Sequence, residues 1–223
     1  MLEKRKENHE YGLVLIHSEL VTGVIMAITS LDPHTALIVV DLQVGILALD
    51  TCHPTLSVVD NTCQLLEQFR NLQLPIVLVN VAGVAAGRTE QIPSNGERPT
   101  NWSQLTEVLQ PESKAHLITK RTWGAFTDTG LDEYLKSKGV TQVVITGIAT
   151  SIGVESTARQ AWELGYNITL PTDAMTDFNL DVHHNSVNFI FPRMSETGST
   201  QDVLALMKET FVSSKQDGRD LSY

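Results

Sequence analysis

The sequence predicts an α/β domain built around a mostly parallel central sheet, and three observations carry that prediction. From residue 35 onward, short β-branched runs alternate with stretches of helical periodicity, the pattern of repeated strand and helix units. The strand candidates are apolar throughout rather than alternating, as strands covered on both faces must be. The chain has 223 residues, 42% of them hydrophobic, which suffices for one full core without a second domain.

The first strand is "TALIVVDLQ" at residues 35–43, a continuous apolar run that ends in a carboxylate. Residues 54–73 place Leu56, Val59, Cys63, Leu66 and Phe69 or Arg70 at steps of three and four, which predicts an amphipathic helix with Cys63 on its core stripe. "LPIVLVNVA" is the next strand, with Pro75 closing the preceding helix. Residues 83–114 are rich in Gly, Pro, Asn and Ser, with one helical piece around Trp102 to Leu109; a loop of this length in an α/β domain reads as a lid or rim. "AHLITKRTWGAF" supplies a short strand and a loop, and "TDTGLDEYLKSKG" a helix with Leu131 and Leu135 inward and Gly139 at its end. "TQVVITGIAT" is another buried strand. "GVESTARQAWELG" is a helix with Val154, Ala158, Ala161 and Trp162 inward, an outward Glu155 and Arg159 pair, and Gly165 as its stop. "YNITLPTDA" is a further strand, residues 180–191 are helical, and residues 200–212 form a last helix with Val203, Leu206, Met207 and Phe211 inward.

The division is therefore a domain over residues 26–212, a solvated tail over 213–223, and an appendage over 1–25 that reads as upstream or non-native sequence, with Met26 as a natural start. The N-terminal segment loosely imitates a secretory leader. His17, Ser18 and Glu19 interrupt its apolar run, and Val21 to Ile28 falls far short of the roughly 20 residues that span a bilayer. Sixteen basic against 26 acidic residues, a formal net charge of -10, leave no basic stripe for phosphates. Nucleic acid and anionic membranes are excluded as partners, which leaves a small-molecule substrate or a protein. The two cysteines, Cys52 and Cys63, have neither metal-ligand spacing nor disulfide density and read as reduced thiols in a cytoplasmic protein.

In open parallel sheets ligands collect outside the carboxyl ends of the strands, near the point where strand order reverses. The residues that matter are then Asp41 and Gln43 after the first strand, Asn80 after the second, Lys120, Trp123 and Phe126 after the third, Gly147 to Gly153 after the fourth, and Asp173 after the fifth. A carboxylate or a lysine in such a place is more often a cap or a solvated charge than a catalyst. Asp41, Lys120 and the loop at Gly153 follow three separate strands that a parallel sheet can bring to one rim, and the combination changes that balance. "VVDLQ", "KRTWGAF" and "GIATSIGVESTARQAWELGYNITLPTDA" together resemble the isochorismatase-like hydrolase superfamily, over roughly residues 35–208.

The resemblance implies a Rossmann-like three-layer αβα sandwich with a catalytic Asp, Lys and Cys, and a non-proline cis peptide ahead of the nucleophile. On this chain the Asp is Asp41, the Lys is Lys120, the cis bond joins Ile148 to Ala149, and the nucleophile position holds Gly153. Glycine supplies only a backbone N–H and space, so an acyl-enzyme formed at this position is chemically excluded. Neither cysteine replaces the missing sulfur, since Cys52 lies in the loop before the first helix and Cys63 on its predicted buried stripe. True isochorismatases of the superfamily also carry Gly there and hydrolyse a vinyl ether, releasing pyruvate. That reaction needs a general acid: Asp41, if desolvation outweighs the opposing charge of Lys120. Lys120 is then expected to pair with a substrate carboxylate or with Asp41, and Gly153 to open room for the substrate beside an N–H at a helix start. Gln43, Trp123, Phe126, Ile148 and Ala149 are the candidate binding residues. This chain also keeps the "ATSI" and "VESTA" flanks of the thiol enzymes, so it is most similar to family members with "IGVESTAR" in place of "ICVESTAR".

Three readings follow: a thiol-independent hydrolase of a small anionic substrate, an amidohydrolase-like member using activated water, and a catalytically inactive binding or interaction protein. The resemblance further implies a homodimer or larger homo-oligomer. No metal and no cofactor are expected. Nicotinamidases of the superfamily carry an Asp-x-His metal motif after the second strand, where this chain has "NVAGVAA". His183 and His184 are adjacent, about 100° apart on a helix, and read as surface residues. "GIATSIG" has the wrong spacing for a dinucleotide loop.

Overall fold

The structure is a computed structural model that describes residues 28–90, 98–109 and 114–216. The predicted appendage at 1–25 lies outside these residues, as do positions 217–223 of the predicted tail.

A seven-stranded sheet forms the middle layer: β1 (Thr35–Val40), β2 (Ile76–Val81), β3 (His116–Lys120), β4 (Gln142–Ile148), β5 (Asn167–Pro171), β6 (Met175–Thr176) and β7 (Glu196–Gly198). The order is β3-β2-β1-β4-β5-β7, with β6 paired beside the end of β4, and every ladder is parallel. The helices are α1 (Val44–Leu47), α2 (Thr55–Asn71), α3 (Leu131–Ser137), α4 (Glu155–Glu163), α5 (Leu180–Asn185) and α6 (Thr200–Gln216). Among the described residues, none of these helices is long and apolar enough to cross a membrane.

Alternation along β1 divides the core into two. Leu37 and Val39 join α2 and α6 through Val58, Leu65, Phe69, Val203 and Met207 on one face. Ala36, Ile38 and Val40 join α3 and α4 through Leu131, Leu135, Val154, Ala158 and Ala161 on the other. Two helices on each side give the αβα sandwich. All six residues of β1 and all seven of β4 are buried, which explains why these strands read as unbroken apolar runs.

The helix faces differ from the predicted stripes in several places. On α2 the buried face is Val58, Val59, Thr62, Leu65, Leu66 and Phe69, while Leu56 is 75% exposed and Cys63 only half-buried. Val59, Leu66 and Phe69 face inward as predicted, and the covered face extends to the positions one residue earlier, Val58, Thr62 and Leu65, rather than to Leu56. On α4 Trp162 is exposed, although Val154, Ala158 and Ala161 are fully buried as expected and Arg159 pairs with Glu155 at 2.9 Å. α6 runs to Gln216, beyond the predicted boundary at 212, and β7 was not predicted because "ETG" has no apolar signal. The predicted helical piece at 102–109 reduces to a single tight turn at Glu107–Leu109.

β1 and β4 adjoin where the strand order reverses. Gly147 sits opposite Val40 there with φ 129°, and a Cβ on it would overlap the Val40 carbonyl. Glycine is required on both counts.

Candidate active site

β1 ends at Val40, and Asp41 turns the chain with φ 55°, a left-handed conformation that Asp tolerates better than most residues. Its N–H still donates to Val79 O of β2 at 2.9 Å, so the turn stays fastened to the sheet. Lys120 at the end of β3 reaches across the end of β2 and places Nζ 2.7 Å from Asp41 Oδ2. Nζ also donates to Thr122 O at 3.2 Å and Trp123 O at 2.9 Å. A lysine has three N–H donors, and these acceptors use all of them. Of the two partners expected for Lys120, Asp41 is the one it meets.

The pair is buried, with side-chain exposures of 2% and 6% for Lys120 and Asp41. Asp41 Oδ1 has no hydrogen-bond partner among the described residues. Burial dominates the electrostatics: the Asp41 carboxyl is pushed up to about 6, against the pull of the Lys120 charge and its hydrogen bond. Desolvation thus wins the contest that the sequence left open.

The third component follows β4. Ile148–Ala149 is a cis peptide, and a widened turn over Thr150–Val154, in which Val154 N–H donates to Ala149 O five residues back, leads into α4. Gly153 is buried in this turn. A Cβ built on it would lie 2.9 Å from Val40 Cγ1 and 3.1 Å from Asp41 Oδ2. This corrects one expectation: Gly153 does not leave an open space, because Val40 and the carboxylate already occupy the approach. The Thr157 hydroxyl fixes the turn from below by donating to Gly153 O at 2.6 Å, and Ala149 O also accepts from Ile152 N.

The other predicted residues sit as follows. Gln43 is fully buried and spends its amide on backbone, donating to Val81 O and Trp102 O at 3.1 Å each and accepting from Val81 N at 2.8 Å. It fastens residues 98–109 over α1, helped by Val44 N to Gln104 O, Gly45 N to Trp102 O and Thr106 N to Leu42 O. The predicted rim is therefore a bonded strap. Asn80 holds it too, donating to Ser103 O at 2.6 Å. Trp123 is 63% exposed, with its carbonyl on Lys120. Phe126 packs into the α3 and α4 side of the core, its ring 6.1 Å from Tyr166. Ile148 and Ala149 are buried in the turn itself. Asp173 binds Thr200 N and Oγ1 at the start of α6.

Against these positions, the family model described as the isochorismatase domain matches residues 35–202. The chain belongs to the isochorismatase family. Isochorismatase family protein YwoC of Bacillus subtilis is 38% identical over 181 residues, covering 78% of this chain and 94% of that protein. Isochorismatase family protein YecD of Escherichia coli O157:H7 is 38% identical over 178 residues, covering 76% and 94%. Among solved structures, an isochorismatase family protein from Burkholderia thailandensis superposes with a TM-score of 0.77 at 35% identity, covering 80% of this chain and 98% of that one. The parallel sheet with flanking helices is the isochorismatase-family fold, and membership makes the protein a hydrolase.

Sequence reasoning missed a second cluster beside the same turn. His183 of α5 was expected on the surface with His184; His184 is exposed, but His183 is buried and bonds Thr150 Oγ1 through Nδ1 at 2.8 Å. Burial, with His53 and His184 nearby, holds its pKa below the ordinary value. Asp177, also buried, accepts Ser151 N–H at 2.7 Å and anchors the turn from β6. Asp177 follows a strand end, the signal that picked out Asp41. His183 had no such signal, because α5 docks on the turn only through tertiary packing.

Proposed function

We propose that the protein hydrolyses a small anionic substrate of the enol-ether type without a cysteine nucleophile, with Asp41 as general acid and Lys120 as its electrostatic partner. The observation that carries this reading is the asymmetry of the Asp41 carboxyl: Oδ2 is fixed by Lys120, Oδ1 has no partner among the described residues, and burial raises its pKa to about 6. Near neutral pH such a group keeps a protonated fraction that an ordinary aspartate lacks.

Oδ1 carries the transferable proton. It protonates the terminal enol carbon, the ether oxygen stabilises the resulting oxocarbenium ion, and water adds to that cation while giving a proton back to the Asp41 carboxylate, which restores the acid. The hemiketal then collapses to a keto acid and an alcohol. Lys120 does not touch the substrate, since its three donors are committed; it orients the carboxyl and limits the rise of its pKa. Gly153 lets Oδ2 and the turn approach each other and supplies no leaving group or nucleophile.

Pyruvate release from isochorismate, followed with purified protein and its Asp41→Asn variant, tests the reading. Activity in the parent that falls at least a hundredfold in the variant is the expected result. An unchanged rate refutes Asp41 as the acid. An amide-hydrolysing reading, with Asp41 activating water, predicts turnover of amides instead and an activity that rises with pH.

On the same footing we place the protein in the cytoplasm as a homodimer or larger homo-oligomer. The exposed Phe178, Leu180, Val182 and Phe189 provide apolar surface for self-association. Sedimentation as a monomer at micromolar concentration would overturn that assignment.

A further inference from the structure

Cys52, His53 and His183 bring one thiol and two imidazoles together although 130 residues separate the first pair from the third. One donor atom from each lies within 4.8 Å of the other two. Cys52 Sγ is 3.4 Å from His53 Nδ1. Around a tetrahedral zinc ion, with Zn–S about 2.3 Å and Zn–N about 2.05 Å, the sulfur-to-nitrogen edge is about 3.5 Å, so this pair already has the required spacing. The longest separation must close by about 1 to 1.5 Å to reach the ideal edge. His53 is only half-buried and can make that adjustment, whereas His183 is held.

The support around the cluster matches that of a ligating histidine. His183 Nδ1 is engaged with the Thr150 hydroxyl at 2.8 Å, which leaves Nε2 as its donor atom. A metal-bound imidazole commonly has its second ring nitrogen fixed in this way. The rings of His53 and His183 meet edge to face, 4.8 Å between centroids. The buried Thr176 hydroxyl lies 3.5 Å from Cys52 Sγ and 3.3 Å from His53 Nδ1, and it accepts the His53 N–H at 3.1 Å. Cys52 N–H donates to Asp177 O at 2.8 Å, which fixes the backbone that carries both first ligands.

We propose that Cys52, His53 and His183 bind a divalent transition metal of borderline softness, zinc above all. One thiolate and two neutral imidazoles suit zinc and not magnesium or calcium, which take oxygen ligands. Binding transfers the Cys52 thiol proton to solvent and forms one metal–sulfur and two metal–nitrogen bonds. Three protein ligands leave a fourth position to water. The ion would join the loop before α2, the last turn of α5 and, through Thr150, the turn that carries Gly153. This departs from the sequence expectation of no metal, which rested on the absent Asp-x-His motif and on a surface position for His183. The site uses neither Asp41 nor Lys120, so its test is independent of turnover.

The full chain, freed of metal with a chelator and a thiol reductant, is titrated with cobalt(II) and then with zinc. We expect one equivalent of cobalt to give a near-ultraviolet thiolate-to-metal charge-transfer band together with visible tetrahedral bands, and zinc to abolish both. Cys52→Ser should lose the charge-transfer band, Cys63→Ser should keep it, and His183→Ala should weaken cobalt binding at least tenfold. Zinc should raise the Tm of the parent and of Cys63→Ser but not of Cys52→Ser. Asp41→Asn should bind cobalt as the parent does, which separates this result from the test of the catalytic reading. The proposal is overturned by a parent protein without a charge-transfer band at saturating cobalt, by a band that persists in Cys52→Ser, or by one that vanishes in Cys63→Ser.

Discussion

Replacing Gly153 by alanine should lower stability even though alanine is the better helix former. The added methyl would stand 2.9 Å from Val40 Cγ1 and 3.1 Å from Asp41 Oδ2, both closer than ordinary van der Waals contact. Neither neighbour yields easily. Val40 is a buried β-branched residue at the end of a central strand, and Asp41 Oδ2 is held at 2.7 Å by Lys120. Overpacking of this kind costs about 1–3 kcal/mol. Against it stands the gain from replacing glycine in a helical turn, about 0.5–1 kcal/mol. The net is a loss of about 1 kcal/mol, which for a chain of this length lowers Tm by about 2–4 °C. Differential scanning calorimetry of parent and variant at pH 7, where the carboxyl is mostly ionised, reads this directly. A Tm that stays the same or rises would refute the reasoning, because propensity alone would then govern the position and the contact with Asp41 would have no energetic weight.

Two further outcomes follow from the same site. The Asp41 carboxyl moves from the ordinary 3.8 to about 6 in the folded protein; a raised folded pKa gives stability that is complete below 3.8 and lost as pH rises through about 6. The loss is about 3 kcal/mol from this group, so the difference in unfolding free energy between the parent and Asp41→Asn should change by that amount between pH 3 and pH 7; a constant difference would show an unshifted carboxyl. Gln43→Leu leaves Val81 N–H, Val81 O and Trp102 O without their partner, at a cost of about 2–4 kcal/mol. Faster proteolysis within residues 98–109 is the expected signature, and an unchanged cleavage rate would mean that Gln43 does not fasten the strap.

What the sequence disclosed depended on whether the relevant force was local. β1 and β4 were legible because burial on both faces leaves no polar residue to break the run, whereas β7, three residues at the sheet edge, carries no such signature. Helix existence was legible and helix rotation less so: Leu56 and Trp162 fit an apolar ladder yet face solvent, since the partner surface decides which side of a helix is covered. Asp41, Lys120 and Gly153 could be gathered from strand ends alone, because a parallel sheet sends all its carboxyl ends to one rim. Their bonding could not. Nothing local states that Lys120 spends all its donors or that Gln43 serves the backbone. The thiol and imidazole cluster was less accessible still, as its members come from the loop before α2 and from α5, which meet only in three dimensions.

The tight contact of Gly147 with Val40 sets a boundary on redesign. With no room for a side chain between the ends of β1 and β4, the spacing between Asp41 and the turn behind it behaves as a fixed gauge of the scaffold. Changes around Asp41 must then come from parts that can be exchanged without parting those strands, namely the strap over α1 and the loop that carries Trp123. A library confined to those two segments would vary the surroundings of Asp41 while leaving its carboxyl in place, which suits a test of the proposed catalytic reading.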